Sequence, residues 1–132
     1  MTTLLEVCEK ARALNAAVDR LRARLEQIEA RLEGAGVRVR VEVALSNGGK
    51  LAWERRDARW GLYVRLLGAE RPSRPEPLLN APRKVWCAAA LALPELLDAL
   101  SAVLVEGTTQ CEVSAGAVEL AIHWLNRSGE GP

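Results

Sequence analysis

At 132 residues, 49% apolar and 27% charged, the chain has the length of one domain and the make-up of an ordinary soluble globular protein. With no phenylalanine, one tyrosine and four tryptophans, its core must be mainly aliphatic, and no apolar run approaches the ~18–20 residues of a membrane span. Three widely spaced cysteines, Cys8, Cys87 and Cys111, point to free thiols in a reducing cytoplasm rather than to a disulfide framework.

The opening MTTLLEVCEK has no basic stretch ahead of an apolar one, so a secretory signal is not expected. The net charge of +1 hides a lopsided distribution. Residues 1–49 carry 8 basic and 7 acidic side chains, residues 50–84 carry 9 and 4, and residues 85–132 carry only Arg127 against 6 acidic groups. Such asymmetry serves an external anion, or draws the two halves together within a chain or between copies.

The first predicted element is a long helix. Leu4, Val7, Ala11, Leu14, Val18, Leu21, Leu25, Ile28 and Leu32 alternate spacings of three and four, an a/d seam that ends at Gly34 and Gly36. A helix of that length is roughly 45 Å long, more than a small domain can cover. The seam therefore asks for a partner helix: the later helices of the same chain, or a second subunit. Residues 1–34 are read as the oligomerisation helix, with those nine positions as its interface.

Residues 36–67 are expected to form a three-stranded antiparallel meander. In VRVRVEVAL (37–45) the valines and Leu45 alternate with Arg38, Arg40 and Glu42, which places the apolar set on one face. For Val43 and Trp53 to share that face the first loop must be odd; Asn47-Gly48-Gly49 satisfies this, with a glycine free for a left-handed backbone. For Trp60, Leu62, Val64 and Leu66 to join it, the second loop must be even. Arg56-Asp57-Ala58-Arg59 is preferred to a tight Asp-Ala turn because alanine resists positive φ. Trp53 then faces Leu62, with Trp60 as its diagonal neighbour in the core. The outward face carries Arg38, Arg40, Tyr63 and Arg65, with Arg55 beside the inward row near a basic tip.

Residues 68–81 hold a proline-rich linker, and residues 82–127 a helical part. A break is expected near Leu93 because Pro94 suits the first turn of a new helix. Gly107 would stop that helix. Thr109 with Glu112 would cap a last one burying Val113, Ala117, Leu120, Ala121 and Trp124; TTQCEV as a short edge strand is the rival.

Little here resembles a catalytic centre. His123 is the one histidine and sits on a predicted helix, no Cys/His spacing suits a metal, and no Gly-rich loop precedes a Lys-Ser/Thr. No catalytic residue, metal or cofactor is assigned. The most informative irregularity is Arg83 and Lys84 in the first turn after Pro82, where the helix dipole already disfavours cations. An anion would compensate them; so would a carboxylate of the acidic segment, or water. Arg55, Arg56 and Arg59 at the hairpin tip carry the same ambiguity. Nucleic acid is the less favoured ligand, since net charge is near neutral and only Tyr63 is available for stacking.

The succession KLAW (50–53), RWGLYV (59–64), PLLNAPRKV (77–85) and ALPELLDAL (92–100) resembles that of small uncharacterised phage, prophage and mobile-element proteins. RRDAR stands where that pattern has a tighter glycine-containing turn. The resemblance implies a setting in which small proteins act by binding, blocking a host defence protein or sequestering a nucleotide signal. It implies no particular site residue.

These readings together give an α+β protein with a coiled-coil-like first helix, a three-stranded meander and two or three C-terminal helices. The expected function is non-enzymatic binding by a homo-oligomer. The ligand would be a nucleotide-like anion at Arg83, Lys84 and the sheet arginines, or a docked host defence protein. A nucleic-acid-associated regulator and a structural assembly subunit are the alternatives.

Overall fold

The computed structural model describes residues 1–66 and 74–129, and within them the architecture is α+β. Helix α1 spans Leu4–Gly34, and strands β1 (Val41–Ala44), β2 (Lys50–Arg56), β3 (Arg59–Arg65) and β4 (Glu76–Pro77) follow. A single 3-10 turn at Leu78–Asn80 then leads into helix α2, Arg83–Gly129. The sheet is antiparallel, in the order β1-β2-β3-β4.

Helix α1 starts and stops where its local chemistry dictates. The Thr3 hydroxyl accepts the Glu6 N–H at 3.2 Å as an N-cap. At the other end Gly36, at φ +73°, lets its N–H reach the Glu33 carbonyl and the Val37 N–H reach that of Leu32. Those two bonds make a Schellman closure, which wants a glycine at this position.

The period-two pattern sorts the sheet into two faces as expected. Val37, Val41, Val43, Leu45, Leu51, Trp53, Leu62 and Val64 are buried on the inner face. Trp53 pairs with Leu62, and its ring stacks on that of Trp60 at 6.2 Å. The loops differ from expectation in detail. Leu45 pairs with Gly49 across Ser46-Asn47-Gly48, with Gly48 at φ 90°, so the odd loop begins one residue earlier. The two-residue slip in register leaves every side chain on its expected face.

At the tip, Arg56 pairs with Arg59 across a tight Asp57-Ala58 turn whose residues have φ 51° and 65°. The four-residue loop is thus replaced by the turn that alanine was expected to forbid. Positive φ at both positions matches the right-handed strand twist, and the ladder gains one more pair.

Two further corrections concern the second half. The proline-rich segment supplies a fourth strand, in which Pro77 faces Tyr63 and Glu76 faces Val64. Proline is tolerated there because an outermost strand needs few donors. The expected linker's residues 68–73 lie outside the described residues. The two or three C-terminal helices are one: α2 runs unbroken through Pro94, Gly107 and Thr109. Pro94 lies on the exposed side of α2, so its ring displaces no core side chain. The Thr108 and Thr109 hydroxyls donate back to the Leu104 and Val105 carbonyls at 2.9 and 3.1 Å. Those bonds satisfy the threonines inside a helix instead of capping a new one or forming an edge strand. Because the helix is unbroken, α2 is long and apolar enough, by length and composition, to cross a membrane, contrary to the reading of separate short runs.

The core lies between the inner sheet face and the halves of the two helices that meet it. From α2 come Val85, Trp86, Ala89, Ala92, Leu96 and Leu100; α1 adds Leu25, with Val18, Leu21, Ile28 and Leu32 partly buried. Both buried indoles are satisfied: Trp53 Nε1 donates to the Val37 carbonyl at 3.1 Å and Trp86 Nε1 to that of Leu78 at 2.8 Å.

The seam of α1 is therefore divided. Leu25 is sheltered within its own chain, and Leu4, Val7, Ala11 and Leu14 are bare. Val113, Ala117, Leu120, Ala121 and Trp124, expected in the core, are exposed as well, because α2 has left the body of the protein before reaching them.

Candidate functional site: the outer face of the sheet

Alternation along the strands sends Arg40, Glu42, Glu54, Arg56, Tyr63 and Arg65 to the face away from the helices, and Glu54 is at its centre. Its side chain is only 4% exposed, and Ala52 and Gly61 on the same face are buried as well. Three guanidinium groups enclose it. Arg56 Nε is 2.9 Å from Glu54 Oε2, and Arg40 Nε and Arg65 Nη2 are each 3.9 Å from it. Glu42 ties the outer edge of the cluster, 2.9 Å from Arg40 and 3.7 Å from Arg65. Gly61 stands opposite Glu54 on β3, and an added Cβ there would come within 3.4 Å of the Tyr63 ring. The Glu29 carboxylate, reaching over from α1, lies 3.6 Å from the same Cβ position.

The cluster is rich in donors. Each guanidinium offers five N–H groups, and two carboxylates cannot accept them all. Arg65 is the least committed of the three arginines: its ion-pair distances are long, and its buried Nε has no acceptor among the described residues. Glu54 Oε1 is likewise buried without a donor. Arg40, Arg56 and Arg65 nonetheless keep between about a third and a half of their side-chain surface exposed, so their pairing is screened by water.

Tyr63 sits beside the cluster with its phenol pKa raised above the ordinary value. Burial is the main cause; the Glu29, Asp57 and Glu54 carboxylates add to it and Arg59 opposes it. Glu29 itself reaches from α1 to the edge of β3, where it accepts the Leu62 N–H at 3.1 Å.

The other expected residues lie elsewhere. Arg38 leaves the cluster for Glu33, at 3.4 Å. Arg59 flanks Arg56 at the exposed tip, and Arg55 pairs with Trp60 on the inner-facing row. Arg83 and Lys84 are exposed in the first turn of α2, whose next residues Val85 and Trp86 are buried in the core. They are therefore on the helical side of the sheet, separated by it from Arg40, Arg56 and Arg65. Of the residues expected at one anion site, Arg40, Arg65 and Arg56 come together around Glu54, and the others stand apart from them.

Glu54 and Glu42 were not foreseen as parts of the site. Their signal was present in the alternation, since Glu54 shares the phase of Ala52 and Arg56 and the register puts it beside the arginines. No protein-family model matches the chain, and no curated protein or solved structure matches it.

Proposed function

We propose that the chain is a non-enzymatic, homo-oligomeric binding protein of the cytoplasm, whose outer sheet face takes an anionic group. The observation that carries this reading is the cluster of Arg40, Arg56 and Arg65 around the buried Glu54. The glutamate holds three guanidinium groups in one place, and their surplus N–H donors suit the several oxygens of a phosphate. A nucleotide-like anion is the favoured ligand, and an acidic surface of a host defence protein would use the same donors. The resemblance to small phage and prophage proteins supplies a setting, in which such binding would withhold a signal or block a defence component. Arg83 and Lys84 lie apart from the cluster and are not needed for it.

A thermal-shift screen at constant ionic strength tests the reading, with inorganic phosphate, mononucleotides and cyclic nucleotides as probes. A ligand at a hundredfold its Kd stabilises the folded state by about 2.7 kcal/mol. That shift is expected to vanish in a variant carrying Arg56→Gln and Arg65→Gln. If none of the anions shifts the melting temperature beyond a chloride control, the face is only a self-contained ion-pair network. Binding of random-sequence DNA with a steep salt slope would instead favour the nucleic-acid reading.

A further inference from the structure

Two stretches of helix are largely uncovered by the described residues. Residues 4–17 of α1 are exposed throughout, as are residues 101–128 of α2 apart from the half-buried Gly107. The packed halves show how the helices are related. The Arg22 guanidinium lies 5.6 Å over the Trp86 ring. Further along, Leu32 and Val37 line one cavity of about 420 Å³ with Leu97, Leu100 and Leu104. Both helices therefore run in the same direction through the core. The bare part of α1 projects before α2 has begun, and the bare part of α2 projects after α1 has ended.

Each arm continues a face that is already an interface. The seam that buries Leu25 extends back through Leu14, Ala11, Val7 and Leu4. The stripe of α2 that buries Ala89, Ala92, Leu96 and Leu100 runs on, at spacings of three and four, through Val103, Gly107, Cys111, Ser114, Val118, Ala121 and Leu125. Large side chains on the first arm thus meet a mostly small-residue track on the second, which lets two helices approach closely.

We propose that the arms cover each other between copies: residues 4–17 of α1 from one copy pack on residues 101–128 of α2 from another. This rests on the reading of the chain as self-associating and names the segments that do it. Charge favours this pairing over the alternative of α2 with α2. The α2 arm carries Glu106, Glu112 and Glu119 against Arg127 alone, so two of them together would repel. The α1 arm balances Glu6 and Glu9 with Lys10 and Arg12, so it is neutral and meets the acidic arm without that repulsion. The apolar cavity at the end of α1 lies at the start of the track, where the covered face passes into the bare one.

Two full-length variants test the proposal without touching the core. One carries Val7→Glu and Leu14→Glu in the α1 arm; the other carries Val118→Glu and Leu125→Glu in the α2 arm. These four side chains are 52%, 47%, 58% and 71% exposed in the single chain, and glutamate is a good helix former. By light scattering the unaltered protein is expected to have the mass of two or more copies, and each variant alone that of one. Mixing the variants should restore a mixed pair, since one supplies an intact α1 arm and the other an intact α2 arm. A first variant that still associates alone would show α2 arms pairing with each other; a second that does so would show α1 arms coiling together. Either result, or a mixture that stays as single copies, overturns the arm exchange while leaving self-association standing. An unaltered chain that runs as one copy even when concentrated removes both.

Discussion

Ala58 holds a left-handed backbone, φ 65°, at a position that glycine or asparagine normally fills. An alanine there carries roughly 1–2 kcal/mol of steric strain between its Cβ and the following carbonyl oxygen. The strain persists because the ladder around it fixes the register: Trp53 on Leu62 and Arg56 on Arg59 leave only two residues to turn. Ala58→Gly is therefore expected to raise stability by about 1 kcal/mol, part of the relief being offset by the greater freedom of glycine in the unfolded chain. A shift of the urea midpoint at unchanged slope would show it; no gain would mean that the loop is wider than a tight turn. The parity that brings Trp53 and Leu62 together was legible in the sequence, because side-chain direction alternates strictly. The turn was not, because a residue preference of this size yields to a whole ladder. Glu54 was legible only in part: alternation puts it on the outer face with Arg56, two residues along the same strand, but Arg65 reaches it from β3 and Arg40 from just before β1, which no local pattern records.

At the scale of the element, α1 follows its sequence from the Thr3 cap to the Gly36 closure, and α2 does not. Pro94, Gly107 and the Thr109/Glu112 pair are each a respectable stop or start signal. The continuous helix overrides all three, as helical context often overrides single-residue preference. The first half of α2 is held by Val85, Trp86, Ala89, Ala92, Leu96 and Leu100 on both sides of Pro94, so a break there would take one side or the other off the sheet. The proline still lacks an N–H and its ring crowds the carbonyl of Ala90. Pro94→Ala is therefore expected to stabilise the protein by up to ~3 kcal/mol, read as a higher denaturation midpoint. If Pro94 instead began a separate helix at its first turn, alanine would give no gain or a loss, since proline is favoured there.

At the scale of the whole molecule, an α+β body carries two helical arms that it does not cover. Most helical stability in proteins comes from packing an apolar face; isolated helices shorter than ~12–15 residues are marginal in water. The α1 arm is of that size, and the α2 arm is longer but interrupted by Gly107 and Gly116 and rich in weak helix formers such as Thr108 and Thr109. A lone copy should therefore keep its body and lose helix from both arms. If the arms are sheltered by another copy, helix content becomes a property of concentration. On dilution, the circular dichroism signal at 222 nm should fall in step with the mass measured by light scattering. The melting temperature should fall too, since each tenfold change in concentration is worth about 1.4 kcal/mol per mole of dimer. The sign of the helix change separates the possible interfaces. Copies that meet through the arginine face of the sheet would come apart on dilution with their helices unaltered. Copies that meet through the arms would not. A mass that halves while the helix signal stays flat would place the contact on the body and leave the arms without the role argued for them.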